Sequence, residues 1–444
     1  MTMEDNVAEP TMRRVYWRLI PILFLAVFLN YLDRINIGFA ALEMNQQLGF
    51  SAAVFGFGAS VFFVGYMLLE VPSNMILHRV GARVWIGRIM ISWGLVAAAF
   101  AFVRSDVSFY VLRFLLGIAE AGFLPGLALY VTLWFPVRWR ARAVASYIAG
   151  GQIAAVVGGP LSGLLLDHAD GFFGLQSWQV MFLVEGFPAV LLGIMFFFIL
   201  TDTPDKASWL REDQRRWLSE TLDAERATID AAHGRHFALR DVFKDGRVWS
   251  LALLFGSALV GIYGMLIWLP QIIKSMGNLN NTEVGLLSAV PPLLGTAGAL
   301  IVGWSSDRTG DRKYHLAASY AVACLGLAGS AVFAHDDVVA YLCLCVAGLG
   351  LYSGTPLFWS LNASLMTGAA LAASIALVNT LAQFGGLVGP WMIGLVKTST
   401  GSFSIALLVL SAFLLLAALI ALFFRVGPPA ADARTVGRAS AEAL

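Results

Sequence analysis

Four ionisable side chains lie inside stretches that are apolar and long enough to cross a membrane. Asp33 and Arg34 occupy the first such stretch, and Arg113 and Glu120 occupy the fourth. Because a charged side chain at a bilayer centre costs about 2.5–3.5 kcal/mol or more, it is rarely kept there without a function. Arginine stays charged and offers a planar fork to a carboxylate, and a buried carboxyl group can take up and release a proton. The four residues therefore predict anion binding coupled to proton movement.

The spacing of the fourth stretch places its charged residues on one helical face. Arg113, Gly117 and Glu120 are spaced i, i+4 and i+7, so they lie on the same side of a helix. At about 1.5 Å per residue the arginine and the acid are about two turns apart. Gly117 leaves this face open for a ligand or for a neighbouring helix.

The first stretch carries two neighbouring polar stripes. One contains Asn30, Asp33 and Asn36, and the other contains Tyr31 and Arg34. A helix with this much polarity cannot face lipid, so it must face a cavity or other protein.

Composition and hydropathy predict an all-α membrane protein. Of the 444 residues, 59% are hydrophobic and 13% are charged, whereas soluble domains have about 25% charged residues. A helix needs about 20 apolar residues to cross a bilayer, and the runs lack the alternation of a membrane β-strand. Windows of that length predict twelve transmembrane helices, at residues 17–40, 51–77, 84–103, 107–135, 141–166, 178–201, 247–272, 282–305, 314–334, 337–362, 371–397 and 402–425.

The distribution of basic residues predicts the orientation. Of the 29 lysine and arginine residues, 24 lie before span 1, after span 12, in residues 202–247 or in the loops 2–3, 4–5 and 8–9, if the five residues at the adjoining span ends are counted with these segments. By the positive-inside rule these segments and both termini face the cytoplasm. Arginine outnumbers lysine 24 to 5, a bias typical of GC-rich bacterial genomes, so we expect a bacterial inner membrane protein. The basic residues are too scattered for nucleic acid binding.

The chain divides into two halves that repeat. Residues 202–246 separate six spans from six, and the halves match at a shift of 229 to 231 residues, as where Gly159-Pro160 falls on Gly389-Pro390. Such halves, with a binding site between them near the bilayer midplane, are typical of transporters. We predict two pseudo-symmetric six-helix bundles, 1–201 and 247–425, a linker at 202–246 and a cytoplasmic tail at 426–444. Trp209 to Ile229 could form a surface helix, but we favour a solvated linker.

Several stretches resemble the major facilitator superfamily. Two copies of its loop signature lie at Asn74 to Arg83 and at Gly303-Trp-Ser-Ser-Asp307-Arg308-Thr-Gly310-Asp-Arg312-Lys313. The first departs from the signature at His78, where the family usually has an acid. More specific stretches are similar to the anion:cation symporter branch, and within it to bacterial carriers of tartrate, phthalate, hydroxyphenylacetate and sugar acids. They are Glu70-Val-Pro72-Ser73-Asn74, Arg113-Phe-Leu-Leu-Gly117-Ile-Ala-Glu120-Ala-Gly122-Phe-Leu-Pro125-Gly126, Trp134-Phe135-Pro136 and Trp178-Gln-Val-Met-Phe182-Leu-Val-Glu185-Gly186.

The resemblance covers all twelve spans and implies the major facilitator fold together with roles for individual residues. Arg34 and Arg113 would clamp the substrate carboxylate. Five further positions match the lining of the substrate cavity in similar carriers, namely Tyr31, Tyr66, Gln152, Trp359 and Asn379. The loop signatures, expected to act in gating, contribute Arg79, Gly81, Arg83, Asp307, Arg308 and Gly310.

Asp33 and Glu120 are the candidates for proton coupling. Burial favours the neutral form of a carboxyl group and a nearby arginine favours the charged form, so an anion that occupies the arginine lets the acid take up a proton. The alternative is that the arginines and acids form permanent structural salt bridges. Glu185 is also within a span, and we assign it to hydrogen bonding between helices.

These features favour proton-coupled uptake of a small organic anion, such as tartrate or a related hydroxy or sugar acid, by alternating access. We expect a monomer with no cofactor and no metal site, and Cys324, Cys343 and Cys345 are interpreted as packing residues. The alternatives are proton-coupled efflux of amphipathic compounds and a non-transporting sensor, and sodium could replace protons. The sequence lacks common hydrolase and nucleotide-binding motifs, so we do not expect an enzyme.

Overall fold

A computed structural model describes residues 3–232, 243–365 and 368–425. The predicted tail at 426–444 and residues 233–242 of the predicted linker lie outside the described residues. Within the described ranges no β-strand is present.

The helices are numbered in chain order. They are α1 (Met3–Leu48), α2 (Ala52–Val80), α3 (Ala82–Ala99), α4 (Asp106–Glu120), α5 (Phe123–Trp134), α6 (Val137–His168), α7 (Ser177–Ile199), α8 (Glu212–Ala232), α9 (Gly246–Lys274), α10 (Asn281–Thr309), α11 (Lys313–Val332), α12 (Asp337–Leu365), α13 (Gly368–Ala382), α14 (Phe384–Thr400) and α15 (Phe403–Phe423).

The predicted spans agree with these helices, and two of the spans are interrupted. By length and composition, eleven helical stretches in the described residues could cross a membrane. The remaining span, predicted at 371–397, is divided at Gln383 into α13 and α14, each of which is short for a bilayer on its own. Span 4 is divided into α4 and α5. The prediction of an all-α protein with twelve transmembrane helices is confirmed, although α1 extends well beyond the apolar residues 17–40.

The preference for a solvated linker was wrong for residues 212–232, which form α8. The ring of Trp209, just before α8, stacks on Trp134 at 5.3 Å between centroids and 17° between planes. The carboxylate of Glu225 accepts hydrogen bonds from the Val137 backbone N–H at 3.0 and 3.2 Å. That N–H lies at the start of α6, where an anionic side chain is favoured by the helix dipole. The helix is therefore docked on the first six spans.

Close backbone contact joins α2 to α4. A Cβ atom built on Gly117 would lie 2.0 Å from the Phe62 carbonyl oxygen, and one built on Gly65 would lie 2.3 Å from the Phe114 carbonyl oxygen. Small residues allow membrane helices to approach this closely. Gly117 therefore faces a neighbouring helix, which resolves the choice that its spacing left open.

The chain groups into two compact units by its spatial contacts. The first contains residues 3–232 together with 264–293 and 387–403, and the second contains the described residues of 243–263, 294–386 and 404–425. The predicted domains 1–201 and 247–425 follow the internal repeat, which is a different criterion, and they stay a prediction. All four ionisable residues identified above belong to the first unit.

Candidate substrate and proton site

Arg34 and Glu120 form a buried ion pair between α1 and α4. The Arg34 Nε atom donates to Glu120 Oε1 at 2.7 Å, and its Nη2 atom contacts the same oxygen. The side chains are 9% and 1% exposed, respectively. The acid of span 4 is thus paired with the arginine of span 1 rather than with Arg113 on its own helical face.

A break in span 4 places Glu120 at the end of α4. After Glu120 the chain passes through Gly122, which has φ +84°, a left-handed conformation that glycine adopts without strain. Ser73 on α2 donates from Oγ to the Ala121 carbonyl oxygen at 2.7 Å, and Trp85 Nε1 donates to Ser73 Oγ at 3.0 Å. These contacts from α2 and α3 stabilise the break and so fix the position of the Glu120 carboxyl group along the span.

Arg113 is buried without a carboxylate partner. It is 4% exposed, and its Nη2 atom donates to the Ala59 carbonyl oxygen at 3.0 Å. Its Nε atom has no hydrogen-bond partner, and among the described residues no acid lies within 4.0 Å of its nitrogen atoms. Asp33 and Glu120 act on it electrostatically from a greater distance. Since a buried guanidinium normally has its donors satisfied, Arg113 retains capacity to bind an anion.

The ring of Phe62 contacts both guanidinium groups. The guanidinium carbon of Arg34 is 5.4 Å from the centre of this ring, and that of Arg113 is 5.0 Å from it. Arg34 is also 5.4 Å from the Tyr66 ring and 5.9 Å from the Tyr31 ring. Such cation–π contacts hold an arginine in place without neutralising it. The sequence did not identify Phe62 as a candidate, although it precedes Tyr66 by one helical turn.

The polar stripe of α1 is buried as predicted. Asn30, Asp33 and Asn36 are at most 3% exposed. The Asn36 side-chain amide donates to Asp33 Oδ1 at 3.3 Å, whereas Asp33 Oδ2 and both polar atoms of the Asn30 side chain have no hydrogen-bond partner. Asp33 interacts electrostatically with Glu120, Arg113 and Arg34. The two arginines and two acids therefore form one charge cluster, as their positions in the sequence suggested.

The remaining cavity candidates fall in both units. Tyr66 is buried and Tyr31 is half-buried, and both contact Arg34 as described above. Gln152 on α6 is exposed and follows Gly151, which packs on the Tyr31 ring.

Trp359 and Asn379 belong to the second unit, where both are half-buried. There Phe255 contacts Trp359 edge-on at 5.1 Å.

The loop-signature residues lie at helix ends. Gly81, at the end of α2, has φ +97° and Gly310 has φ +70°, so both use the left-handed region that favours glycine. Asp202, which follows span 6, accepts a hydrogen bond from the Arg83 backbone N–H at 3.0 Å. Arg308 lies over the Trp304 ring at 5.4 Å. Arg79, Asp307 and Arg308 are exposed. The contact made by Asp202 was not predicted, because 119 residues separate it from Arg83.

At the far end of α6, Asp167 caps the start of α10. Its carboxylate accepts hydrogen bonds from the backbone N–H groups of Asn281 at 3.1 Å and Thr282 at 2.7 Å, and from the Thr282 hydroxyl at 2.6 Å. The repeat relates this contact to one in which the Ala53 N–H, at the start of α2, donates to Thr398 Oγ1 at 2.9 Å. The same contact thus occurs twice, once with a carboxylate and once with a hydroxyl group.

The sequence matches the family model described as Major Facilitator Superfamily over residues 23–390 and 271–443. The chain belongs to the major facilitator superfamily. It is 44% identical to a protein of Agrobacterium vitis that carries the name of a tartrate transporter, over 98% of this chain and 96% of that protein. It is 41% identical to a protein of Acinetobacter baumannii named as a quinolone resistance transporter, over 92% of this chain and 93% of that protein.

A solved D-xylose–proton symporter has the same fold. It has a TM-score of 0.74 at 15% sequence identity, and the likeness covers 93% of this chain and 98% of that one. The family and fold implied by the sequence motifs are therefore confirmed. The chain is a multi-pass membrane transporter of the major facilitator type, not an enzyme.

Proposed function

We propose that the protein takes up a small organic anion, such as tartrate or a related hydroxy or sugar acid, together with protons. The observation that carries this proposal is Arg113, a buried guanidinium with an unused donor and no carboxylate within ion-pairing distance. Leaving a charge in this state is costly unless a partner arrives. A substrate carboxylate is the partner that fits its planar fork.

The Arg34–Glu120 pair would link anion binding to protonation. A carboxylate that binds at Arg113 brings a negative charge toward Glu120, and any contact that it makes with Arg34 competes with the existing ion pair. Both effects favour the neutral form of the Glu120 carboxyl group. The acid would therefore take a proton as the anion arrives and return it as the anion leaves.

Asp33 would add a second site for proton coupling. It lies within electrostatic range of both arginines and of Glu120, and it forms no ion pair within 4.0 Å among the described residues. Its buried Oδ2 atom lacks a donor, so an ionised Asp33 leaves one carboxylate oxygen without a partner. Protonation of either acid would respond to the charge on the other.

Alternating access would carry the anion and protons across the membrane. The repeat of six spans and six spans supports a rocking motion of the predicted domains 1–201 and 247–425 around the site. Tyr31, Tyr66, Gln152, Trp359 and Asn379 would line the cavity, as the resemblance to organic acid carriers implies. The residues of the two loop signatures would act in gating at the cytoplasmic side. We further propose that the protein is a monomer of the bacterial inner membrane with both termini in the cytoplasm.

A thermal-stability screen of the purified protein tests the substrate class. The panel contains tartrate, aldarates, sugar acids, phthalate and hydroxyphenylacetate, each with its neutral amide, together with neutral amphipathic drugs. A ligand at 100 times its dissociation constant adds about 2.7 kcal/mol to the free energy of unfolding. Stabilisation by an acid but not by its amide supports the proposal.

Two variants show whether Arg113 is the binding residue. Arg113→Ala is expected to abolish stabilisation by the acid, since the anion loses its fixed cation. Arg88→Ala is the matched control, because Arg88 is a half-buried arginine of α3 that stacks on Trp85 at 4.4 Å, outside the cluster. Retained affinity in Arg113→Ala would remove that residue from the site.

The same screen tests the efflux alternative. The similarity to a protein named as a quinolone resistance transporter, and the rings around Arg34, favour it to some extent. If only amphipathic drugs stabilise the protein, the arginines are structural and proton-coupled efflux is the better account.

A further inference from the structure

A third buried carboxyl group, that of Glu185 on α7, lies beside the charge cluster. It is 2% exposed. The Ser162 hydroxyl on α6 donates to its Oε1 atom at 2.8 Å, whereas its Oε2 atom is buried without a hydrogen-bond partner. The Ser162 contact joins two helices, as the sequence suggested for this residue, but it satisfies only one of the two carboxyl oxygens.

Asn36 connects Glu185 to the cluster. The amide of Asn36 donates to Asp33 Oδ1 at 3.3 Å, and the same side chain lies close enough to Glu185 to act on its carboxyl group electrostatically. The amide carries two N–H donors, so one of them remains for the Glu185 carboxyl group while the other contacts Asp33. Glu185 is therefore one side chain removed from Asp33.

Among the described residues, the ionisable group that acts on Glu185 is another acid and not a cation. Helix α7 packs against α1, α3 and α6, and among the described residues of these helices Asp33 is the titratable group that acts on Glu185. No lysine or arginine in the described part of the chain lies within 4.0 Å of it. An ionised carboxyl group buried without a cation costs several kcal/mol. The Oε2 atom is the position that a proton would occupy.

Counting charges leads to the same conclusion. The cluster contains two guanidinium groups and, with Glu185 included, three carboxyl groups. One proton makes it neutral, and each bound substrate carboxylate requires one more. Because Asp33 repels the charged form of Glu185, the protonation of one changes the proton affinity of the other.

We propose that Glu185 is a third proton-coupling residue, and that the proton it holds crosses the membrane with the substrate in each cycle. This inference rests on the proposed function. The proton binds at Oε2 on the side of uptake and leaves from the same oxygen toward the cytoplasm, and no other bond is formed or broken. Asn36 acts as a positioning residue between the two carboxyl groups.

Steady-state accumulation in proteoliposomes measures the contribution of this proton. The vesicles have a pH gradient of one unit, and equal potassium with valinomycin holds the membrane potential at zero. The labelled substrate is the acid that stabilises the wild type, with tartrate tested first. Each coupled proton then supports about a tenfold accumulation. Glu185→Gln should lower the accumulation ratio about tenfold, whereas exchange of labelled for unlabelled acid, which needs no net proton movement, should continue.

Ser162→Ala separates this role from a structural one. Glutamine has the shape of glutamate and keeps an oxygen that can accept from Ser162, so a purely structural Glu185 predicts that Glu185→Gln is silent and that Ser162→Ala is impaired. A proton-coupling Glu185 predicts the opposite pattern. Unchanged accumulation in Glu185→Gln overturns the inference, and so does a loss of exchange in that variant, because exchange moves no net protons.

The wild type distinguishes this inference from the proposed function. If the wild type shows no proton-driven accumulation of any acid on the panel, the proposed function fails and the inference falls with it. If the wild type accumulates the acid and Glu185→Gln accumulates it equally well, only the role of Glu185 is refuted.

Discussion

Replacing Gly117 with alanine should weaken substrate binding although Gly117 contacts no substrate. The added methyl carbon would lie 2.0 Å from the Phe62 carbonyl oxygen and 2.9 Å from the Tyr66 backbone nitrogen. Ordinary van der Waals contact for a Cβ atom begins at 3.4 Å. Since both neighbours are backbone atoms of α2, the two helices must separate by about 1.4 Å to relieve the overlap.

That separation would move the Arg113 guanidinium group away from its hydrogen-bond acceptor on α2. Its Nη2 atom donates to the Ala59 carbonyl oxygen of α2 at 3.0 Å, and a displacement of about 1.4 Å takes this distance beyond hydrogen-bonding range. A hydrogen bond from a charged group contributes about 1.5–3 kcal/mol. Loss of this positioning should weaken binding of the acid about 10- to 100-fold, and overpacking should cost a further 1–3 kcal/mol, roughly, in folding stability.

Isothermal titration of the purified variant with the acid found in the screen measures the affinity. Gly126→Ala is the control in the same span, because there the added carbon meets Leu77 Cδ1 at 2.7 Å, the end of a side chain that can rotate away. Wild-type affinity in both variants would show that the approach of α2 to α4 does not determine where Arg113 binds its ligand.

Three further outcomes follow from the contacts described above. Glu120→Gln should retain exchange of the acid but lose proton-driven accumulation, because glutamine can still accept from Arg34 but cannot be protonated; normal accumulation would contradict the coupling role. Asp167→Ala should lower the free energy of unfolding by about 1–2 kcal/mol in a thermal melt, since it removes the cap that Thr282 and its neighbour contact at the start of α10. Trp209→Ala should speed cleavage of α8 by trypsin while transport continues, because it removes the stacking that docks this helix; unchanged cleavage would mean that other contacts are sufficient.

The sequence predicted the members of the charge cluster but not how they pair. Spacing relates residues within one helix, and it placed Arg113 and Glu120 on a common face. The ion pair of Arg34 with Glu120 joins residues 86 positions apart, and it depends on how α1 lies against α4. Only the packing of the helices determines that Arg113, rather than Arg34, lacks a carboxylate partner.

Contacts made by backbone atoms were the least predictable. The Ala59 carbonyl oxygen, which accepts the hydrogen bond from Arg113, has no signature in the sequence, because any residue could supply it.

The α8 helix is polar, and its composition alone did not distinguish a docked helix from a solvated linker. The hydrophobic runs, in contrast, predicted nearly every membrane helix, since length and apolarity are fixed by the thickness of the bilayer.

Two of the three aromatic rings that contact the guanidinium groups lie on a helix that carries none of the four charged residues, whereas the third, Tyr31, lies on α1 beside Arg34. The charged groups belong to α1 and α4, whereas Phe62 and Tyr66 belong to α2. A substitution of either ring on α2 could therefore change the shape of an accepted substrate without altering any of the charged residues proposed to bind the anion or the protons. Engineering of new specificity should therefore begin on α2, because substitutions there leave the residues proposed for proton coupling unchanged. Divergence between relatives that bear the names of acid and drug transporters would need few steps on such a scaffold.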